Sequence, residues 1–227
     1  MKFTWMKWGA LPVVVLMAGS VAMAQEQSSA GSQQPAPAPA ATPAPAPAAQ
    51  PKPTVAQRKE NQQDRIAQGV KSGQLTAGET ANLETKEAAI NGETKADRAA
   101  NGGKLTAAEK TQINQQQNQV SKQIYADKHN ANKQNYGNSE VGQRQKNQQA
   151  RIAQGIKSGQ MTAGEAAKAE NQQKGINQQV KADRAANGGK LTTGEKAQVN
   201  KEQNAASKNI YKKKHNAKTQ PQAQPKK

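Results

Sequence analysis

The sequence "NGGKLTAAEK" at residues 101–110 returns as "NGGKLTTGEK" at 187–196, and related phrases occur at 71–80 and 157–166. Each phrase places Thr-x-x-Glu shortly after a glycine. In this capping box the threonine hydroxyl accepts a hydrogen bond from the backbone N–H of the third helical residue, and the glutamate carboxylate accepts one from the threonine N–H. The phrases therefore predict four helix starts, at Thr76, Thr106, Thr162 and Thr192.

The residues around the phrase also indicate helices. Gly102 and Gly103 can take the left-handed conformation that closes a preceding helix. Apolar residues then recur at steps of seven and four, as in Ile113, Val120 and Ile124, which places them on one narrow stripe. The sequence therefore predicts an all-α fold. The expected helices of the first copy lie at about 57–70, 76–100 and 106–130.

The pattern belongs to a module that occurs twice, with an offset of 86 residues. The stretch "KADRAANGGKLT" at 95–106 is identical to 181–192. Internal repeats of this size mark supersecondary units that bury their apolar side against their neighbours. We therefore expect two tandem helical-hairpin or three-helix modules. Module 1 lies at 57–134 and module 2 at 143–218, and a polar linker at 135–142 joins them.

The expected core is thin, because three tyrosines are the only aromatic residues after position 8. Each module has about ten large apolar side chains, few for a domain of its size. Module 2 has Ala169 and Ala206 where module 1 has Leu83 and Val120. Packing between the modules, or self-association, is expected to supply the missing burial.

The N-terminal segment has the features of a secretory signal peptide, since Lys2 and Lys7 precede an apolar run that ends in Ala-Met-Ala. Residues 1–24 are predicted to be this signal, and the protein to be exported, periplasmic or secreted; retention of the segment as an anchor is the alternative. Residues 25–56 are expected to be a disordered Pro/Ala-rich spacer. Residues 219–227 are expected to be a disordered basic tail.

The chain is strongly basic, with 33 Lys and Arg against 16 Asp and Glu. The formal charge is +3 over module 1 and +11 over module 2. Such a surface predicts contact with anionic polymers, with a membrane surface or, without sequence specificity, with nucleic acid. A charge that only maintains solubility is the alternative. The candidate ligand-binding residues are Lys208, Lys212, Lys213, Lys214 and Lys218.

No metal site, cofactor or catalytic centre is predicted. The absence of cysteine from the sequence excludes disulfides, thiolate metal sites and cysteine nucleophiles. Gly103 and Glu109 match the second half of an EF-hand loop, but the first ligand position falls on Arg98, which cannot bind calcium.

His129 and His215 have no ligand neighbours, and each is expected to complement the dipole of a helix C-terminus, with the following Asn in the left-handed position. The carboxylates are expected in caps and surface pairs, and we do not expect an enzyme.

Two resemblances carry further expectations. The tandem pattern with "DRAANGGKLT", "QINQQQNQVSKQIY" and "KHN" resembles a group of exported bacterial helical-repeat proteins of uncharacterised activity. It covers most of residues 57–218 and implies export and helical repeats. The start "KLTAAEKTQINQQ" is similar to the L-T-x-x-Q helix start of Spy-type periplasmic chaperones, with Leu105, Thr106 and Glu109 at the matching positions. That resemblance implies a holdase for unfolded client proteins.

The leading hypothesis is an exported, non-enzymatic, all-helical tandem-repeat protein whose module 2 and tail bind anionic envelope polymer, lipid or nucleic acid. A Spy-like holdase and a purely structural spacer module are the alternatives.

Overall fold

The computed structural model describes residues 52–220, which form six α-helices and contain no strand. The predicted all-α class is therefore confirmed. The predicted signal peptide, most of the spacer and residues 221–227 lie outside the described residues. The helices are α1 Val55–Ser72, α2 Ala77–Ala100, α3 Ala107–His129, α4 Glu140–Lys157, α5 Ala163–Ala186 and α6 Thr193–Lys214.

All four predicted capping boxes are present. At the start of α2, the Thr76 N–H donates to the Glu79 carboxylate at 2.9 Å, and the Glu79 N–H donates to the Thr76 hydroxyl at 3.3 Å. Two further caps were not expected. Thr54 and Gln57 form a fifth capping box, which starts α1 inside the predicted spacer, and Ser139 caps α4 inside the predicted linker.

The paired glycines between helices take the predicted left-handed conformation. Gly102 and Gly103 have φ values of 61° and 86°, and Gly188 and Gly189 repeat them. The Gly103 N–H donates to the Arg98 carbonyl at 2.7 Å, which satisfies one of the free carbonyls at the end of α2. The phrase is thus a helix terminator followed by a helix start.

Equivalent helices of the two modules pack against each other, α2 against α5 and α1 against α4. Within module 1, α3 covers α1 and α2, and α6 does the same for α4 and α5 in module 2. The contacts between the modules are reciprocal. Gly78 and Gly164 are equivalent positions, and so are Ala88 and Lys174. Gly78 lies near Lys174, and Gly164 lies near Ala88. Reciprocal contacts of equivalent residues indicate an approximate two-fold axis between the modules.

One apolar cluster runs through both modules, and the packing between them supplies burial that each lacks alone. Leu83 of α2 and Ala169 of α5, which are equivalent positions, are both buried in this cluster. Module 1 therefore contributes the larger side chain where module 2 has the smaller one. A smaller cluster around Val141, Ile176 and Val199 completes module 2.

The asparagines of the repeated "KHN" do not take the predicted left-handed position. Asn130 has φ −77°, and no non-glycine residue among 52–220 has positive φ. Instead the Asn130 side chain donates to the Glu79 carboxylate at 2.8 Å, and Asn216 donates to Glu165 at 2.6 Å. The side-chain amide of the asparagine thus joins the end of one helix to the capping box of another.

Candidate functional site

The five lysines predicted as a site do not share one face of the protein. Lys208 and Lys212 are exposed on α6, and Lys218 is exposed in the turn that follows. Lys213 is half-buried beside the Glu165 carboxylate of α5. Lys214 turns toward α4, where its ammonium donates to the Gln154 side chain at 3.0 Å. Only Lys208 and Lys212, one helical turn apart, present charge together.

These two lysines belong to a stripe that also carries an aromatic pair. Tyr211, Lys212 and His215 lie three, four and seven residues after Lys208, which places them on one side of α6, and all four are exposed. The rings of Tyr211 and His215 stack with centroids 4.1 Å apart, and the His215 Nδ1 lies 2.8 Å from the Tyr211 carbonyl oxygen. We call these four residues the α6 stripe. The stripe places two cations beside a flat, solvent-exposed platform formed by the stacked rings of Tyr211 and His215.

Module 1 carries the same stripe with one cation fewer. Lys122, Tyr125 and His129 occupy the equivalent places on α3, with the rings again 4.1 Å apart, but Ala126 stands where module 2 has Lys212. The aromatic stack therefore belongs to the shared scaffold. The additional charge belongs to module 2 alone.

A second group of cations lies where α4 meets α6. Arg144 donates to the Asn200 side chain at 3.1 Å, and Arg151 donates to the Ser207 carbonyl at 3.3 Å. Lys214 lies nearby, and burial, with a further contribution from the Arg151 charge, lowers its pKa. We call Arg144, Arg151 and Lys214 the α4–α6 seam. No sequence signal marks these arginines, because they lie far from the lysine-rich end of the chain.

The interior between the modules is unexpectedly polar. A layer of buried Gln and Glu side chains, which we call the interior polar layer, crosses the axis where α1, α2, α4 and α5 meet. The sequence analysis expected the carboxylates in caps and surface pairs, and this was wrong for Glu84, Glu87 and Glu170, each 0% exposed. The layer consists of Gln62, Gln63, Glu84 and Glu87, with their equivalents Gln148, Gln149, Glu170 and Gln173.

The layer contains more acceptors than donors. Gln63 donates to Glu84 at 3.2 Å, and Gln149 donates to Glu170 at 2.7 Å. In module 2 the Gln173 amide also donates to the Gln148 oxygen at 3.0 Å. Its equivalent in module 1, Glu87, has no hydrogen-bond partner on either oxygen. Gln62, the equivalent of Gln148, likewise has no hydrogen-bond partner on its side-chain oxygen.

A proton on Glu87 would supply the missing donor. Burial raises the pKa of Glu87 to about 7 and that of Glu170 to about 8. Burial also raises the pKa of Glu84 well above its usual range, and the neighbouring charges of Glu87 and Glu170 add to the effect. Lys59 is the nearby cation, and burial lowers its pKa. The layer thus favours neutral carboxylic acids, which can donate as well as accept.

Comparison with known protein families, curated proteins and solved structures gives no match for this chain. None of the six described helices combines the length and apolar character that crossing a lipid bilayer requires. Among residues 52–220, no three His, Cys, Asp or Glu side chains form a group that could hold a metal ion.

Proposed function

We propose that this chain is an exported, non-enzymatic helical repeat protein that binds anionic polymers through its basic second module. The ligands are envelope polymers, an anionic lipid surface or nucleic acid, bound without sequence specificity. The observation that carries the proposal is the α6 stripe, where two exposed lysines flank a stacked Tyr–His pair. Phosphate-bearing polymers need charge and little geometry, which such a stripe offers.

The charge difference between the modules supports this function, because several of the added charges lie at exposed positions of module 2. Lys146 and Ala150 of α4 occupy the places of Glu60 and Asp64 of α1, and each replacement makes module 2 more positive. Lys213 stands beside Glu165 where module 1 has Asp127. These changes raise the charge of module 2 and leave the aromatic stack the same.

The stacked pair extends what the lysines can bind. An exposed aromatic ring can pack against the flat face of a nucleobase, and such stacking tolerates any sequence. The pair is 4.1 Å apart and nearly parallel in both modules, so its geometry is set by the helix rather than by a ligand. A polymer on the α6 stripe would meet two ammonium groups and one platform within about two helical turns.

The exposed surface favours this function over a holdase. Unfolded clients are held by exposed apolar patches. Among residues 52–220, the large hydrophobic side chains with high exposure are Tyr125 and Tyr211, at 62% and 57%. Each is stacked on a histidine and carries a polar hydroxyl. The surface described here is thus cationic and polar rather than an apolar cradle.

Titration of a fluorescein-labelled single-stranded DNA with residues 25–227 over a salt series tests the proposal, with phosphatidylglycerol vesicles as a second probe. We expect Lys208→Gln with Lys212→Gln to weaken binding, and to reduce the slope of log K against log salt by about 0.7 for each lost phosphate contact. Lys122→Gln, at the equivalent position of module 1, is the matched control. Equal effects from both variants, or no binding to either probe at low salt, would contradict the proposal. Suppression of client aggregation in that second case would favour the holdase.

A further inference from the structure

A groove of about 560 Å³ opens on one side of the two-fold axis, between α1, α2, the start of α5 and the segment after α6, where Thr219 and Gln220 line it. Ala56 and Lys59 line it from α1, and Ala88, Gly92 and Arg98 line it from α2. We call it the open groove. Its volume lies within the range of small-molecule and peptide sites.

The two-fold axis gives the open groove an equivalent on the other side, and a segment of the chain's own linker occupies that place. The backbone of Tyr136 passes directly over Gly142 of α4, so that a Cβ on Gly142 would lie 1.8 Å from the Tyr136 carbonyl oxygen. Gly142 is the equivalent of Ala56 in the open groove. Gln145 and Asn177, which are joined by a hydrogen bond of 2.6 Å, are the equivalents of Lys59 and Asn91.

The linker fills this second place, which we call the filled groove, with a non-helical peptide and a tyrosine ring. The Tyr136 hydroxyl is buried and has no hydrogen-bond partner, and burial together with the nearby Glu170 carboxyl raises its pKa. The Asn177 amide donates to the Gln134 side chain at 3.4 Å, which holds the linker at its entrance. A Cβ on Gly78 would lie 3.5 Å from the Lys174 Cδ, whereas a Cβ on the equivalent Gly164 would lie 3.9 Å from the shorter Ala88 side chain.

The open groove keeps this shape but has a different charge. Lys59, Lys95 and Arg98 line it. Lys95 and Arg98 have the equivalents Lys181 and Arg184, whereas the equivalent of Lys59 is the neutral Gln145. The open groove therefore has one cation more than the filled groove.

We propose that the open groove binds an extended acidic peptide segment, in the way that the filled groove holds residues 134–137 of the linker. Carboxylates of the peptide pair with Lys59, Lys95 and Arg98. Gln220, the equivalent of the linker's Gln134, lies at the edge of the open groove, where its side-chain oxygen accepts a hydrogen bond from the Ala163 N–H at 2.9 Å. Ala56, in place of Gly142, keeps the bound backbone farther from α1 than the linker backbone lies from α4. The occupant is an acidic segment because the three cations favour carboxylates.

Fluorescence polarisation with a dye-labelled Asp-Glu-Tyr-Glu-Asp peptide tests this inference, and Lys-Lys-Tyr-Lys-Lys is the peptide control. Lys59→Gln is expected to weaken binding at least ten-fold. Ala88→Phe places a bulky side chain in the open groove and should also abolish binding. This second variant leaves the charge unchanged, so a contact that depended on charge alone would persist.

The α6 stripe variants separate this site from the proposed polymer-binding function. Lys208→Gln with Lys212→Gln should leave peptide binding unchanged, while Lys59→Gln should leave DNA binding unchanged within about two-fold. Far-UV circular dichroism establishes that each variant is folded. The inference is overturned if the acidic peptide does not bind, if the groove-filling variant binds it as tightly as the parent, or if binding is lost only with the α6 stripe.

Discussion

Raising the pH from 5 to 8 should destabilise the folded protein, because buried carboxylic acids of the interior polar layer must ionise. The pKa of Glu87 is about 7 in the fold, against an ordinary value of 4.5. Between these two values the folded state binds more protons than the unfolded chain, so stability falls as pH rises, by about 1.4 kcal/mol per pH unit for one group. From pH 5 to 7, Glu87 alone accounts for a loss of roughly 2–3 kcal/mol.

The other titrating groups set the limits of this decline. The raised pKa of Glu170, about 8, extends the loss of stability to higher pH. The pKa values of Glu79 and Glu165 are lowered, because hydrogen bonds from the capping threonines and from Asn130 and Asn216 outweigh the effect of burial. Those two groups lose their contribution only as pH falls below about 4.5. Stability should therefore be greatest near pH 5.

The substitution Glu87→Gln isolates the effect, since module 2 already has Gln173 at the equivalent position. At pH 8 the variant should gain roughly 2–3 kcal/mol over the parent, and at pH 5 the difference should be below about 1 kcal/mol. In thermal unfolding the gain corresponds to an increase in Tm of about 5–10 °C. The mirror substitution Gln173→Glu should steepen the pH dependence.

Urea unfolding followed by far-UV circular dichroism at pH 5, 6, 7 and 8, at constant ionic strength, measures these differences. The linear extrapolation gives the free energy of unfolding at each pH, and an unchanged m-value shows that the transition remains comparable. Stability that is constant or rises between pH 5 and 7 would refute the reasoning. So would a Glu87→Gln variant whose pH slope equals that of the parent.

Three substitutions test the local structure, each by the change in the free energy of unfolding in urea. Thr106→Ala removes an N-cap and should cost about 1 kcal/mol, whereas Thr106→Ser should be close to neutral. Asn130→Ala removes the tie to the Glu79 carboxylate and should cost about 1 kcal/mol; an unchanged stability would show that the tie is dispensable. Gly142→Ala forces a Cβ against the Tyr136 carbonyl oxygen and should cost about 1–3 kcal/mol. The linker should also be cleaved faster by a protease. Full retention of stability would contradict the path of the linker backbone over α4.

Local sequence signals were sufficient for the elements of the fold. Thr106 and Glu109 predict a helix start because both hydrogen bonds of the capping box form within one turn. Gly102 and Gly103 predict a helix end for an equally local reason, since glycine takes the left-handed conformation without strain. Steps of seven and four placed Ile113 in the core, where it is fully buried.

The interior polar layer and the filled groove depend on packing between the modules, and no local pattern reveals that. Glu84 and Glu87 follow the apolar stripe of α2 at helical spacing, with Thr80 before them and Ile90 after them. That spacing was a usable signal, but a glutamate is usually a surface residue. Tyr136 lies in a polar segment that resembles any linker, and only the path of its backbone over α4 shows its role.

The two-fold arrangement of the modules is the one that two identical polypeptides would adopt as a homodimer with an isologous interface. A gene for one module could therefore have specified the whole bundle by dimerisation, with two identical grooves. In a single chain the two grooves differ, because the segment that crosses the filled groove continues into α4, whereas the segment that reaches the open groove at Gln220 follows α6. A single chain also frees the two sides from carrying identical residues, as Lys59 opposite Gln145 shows.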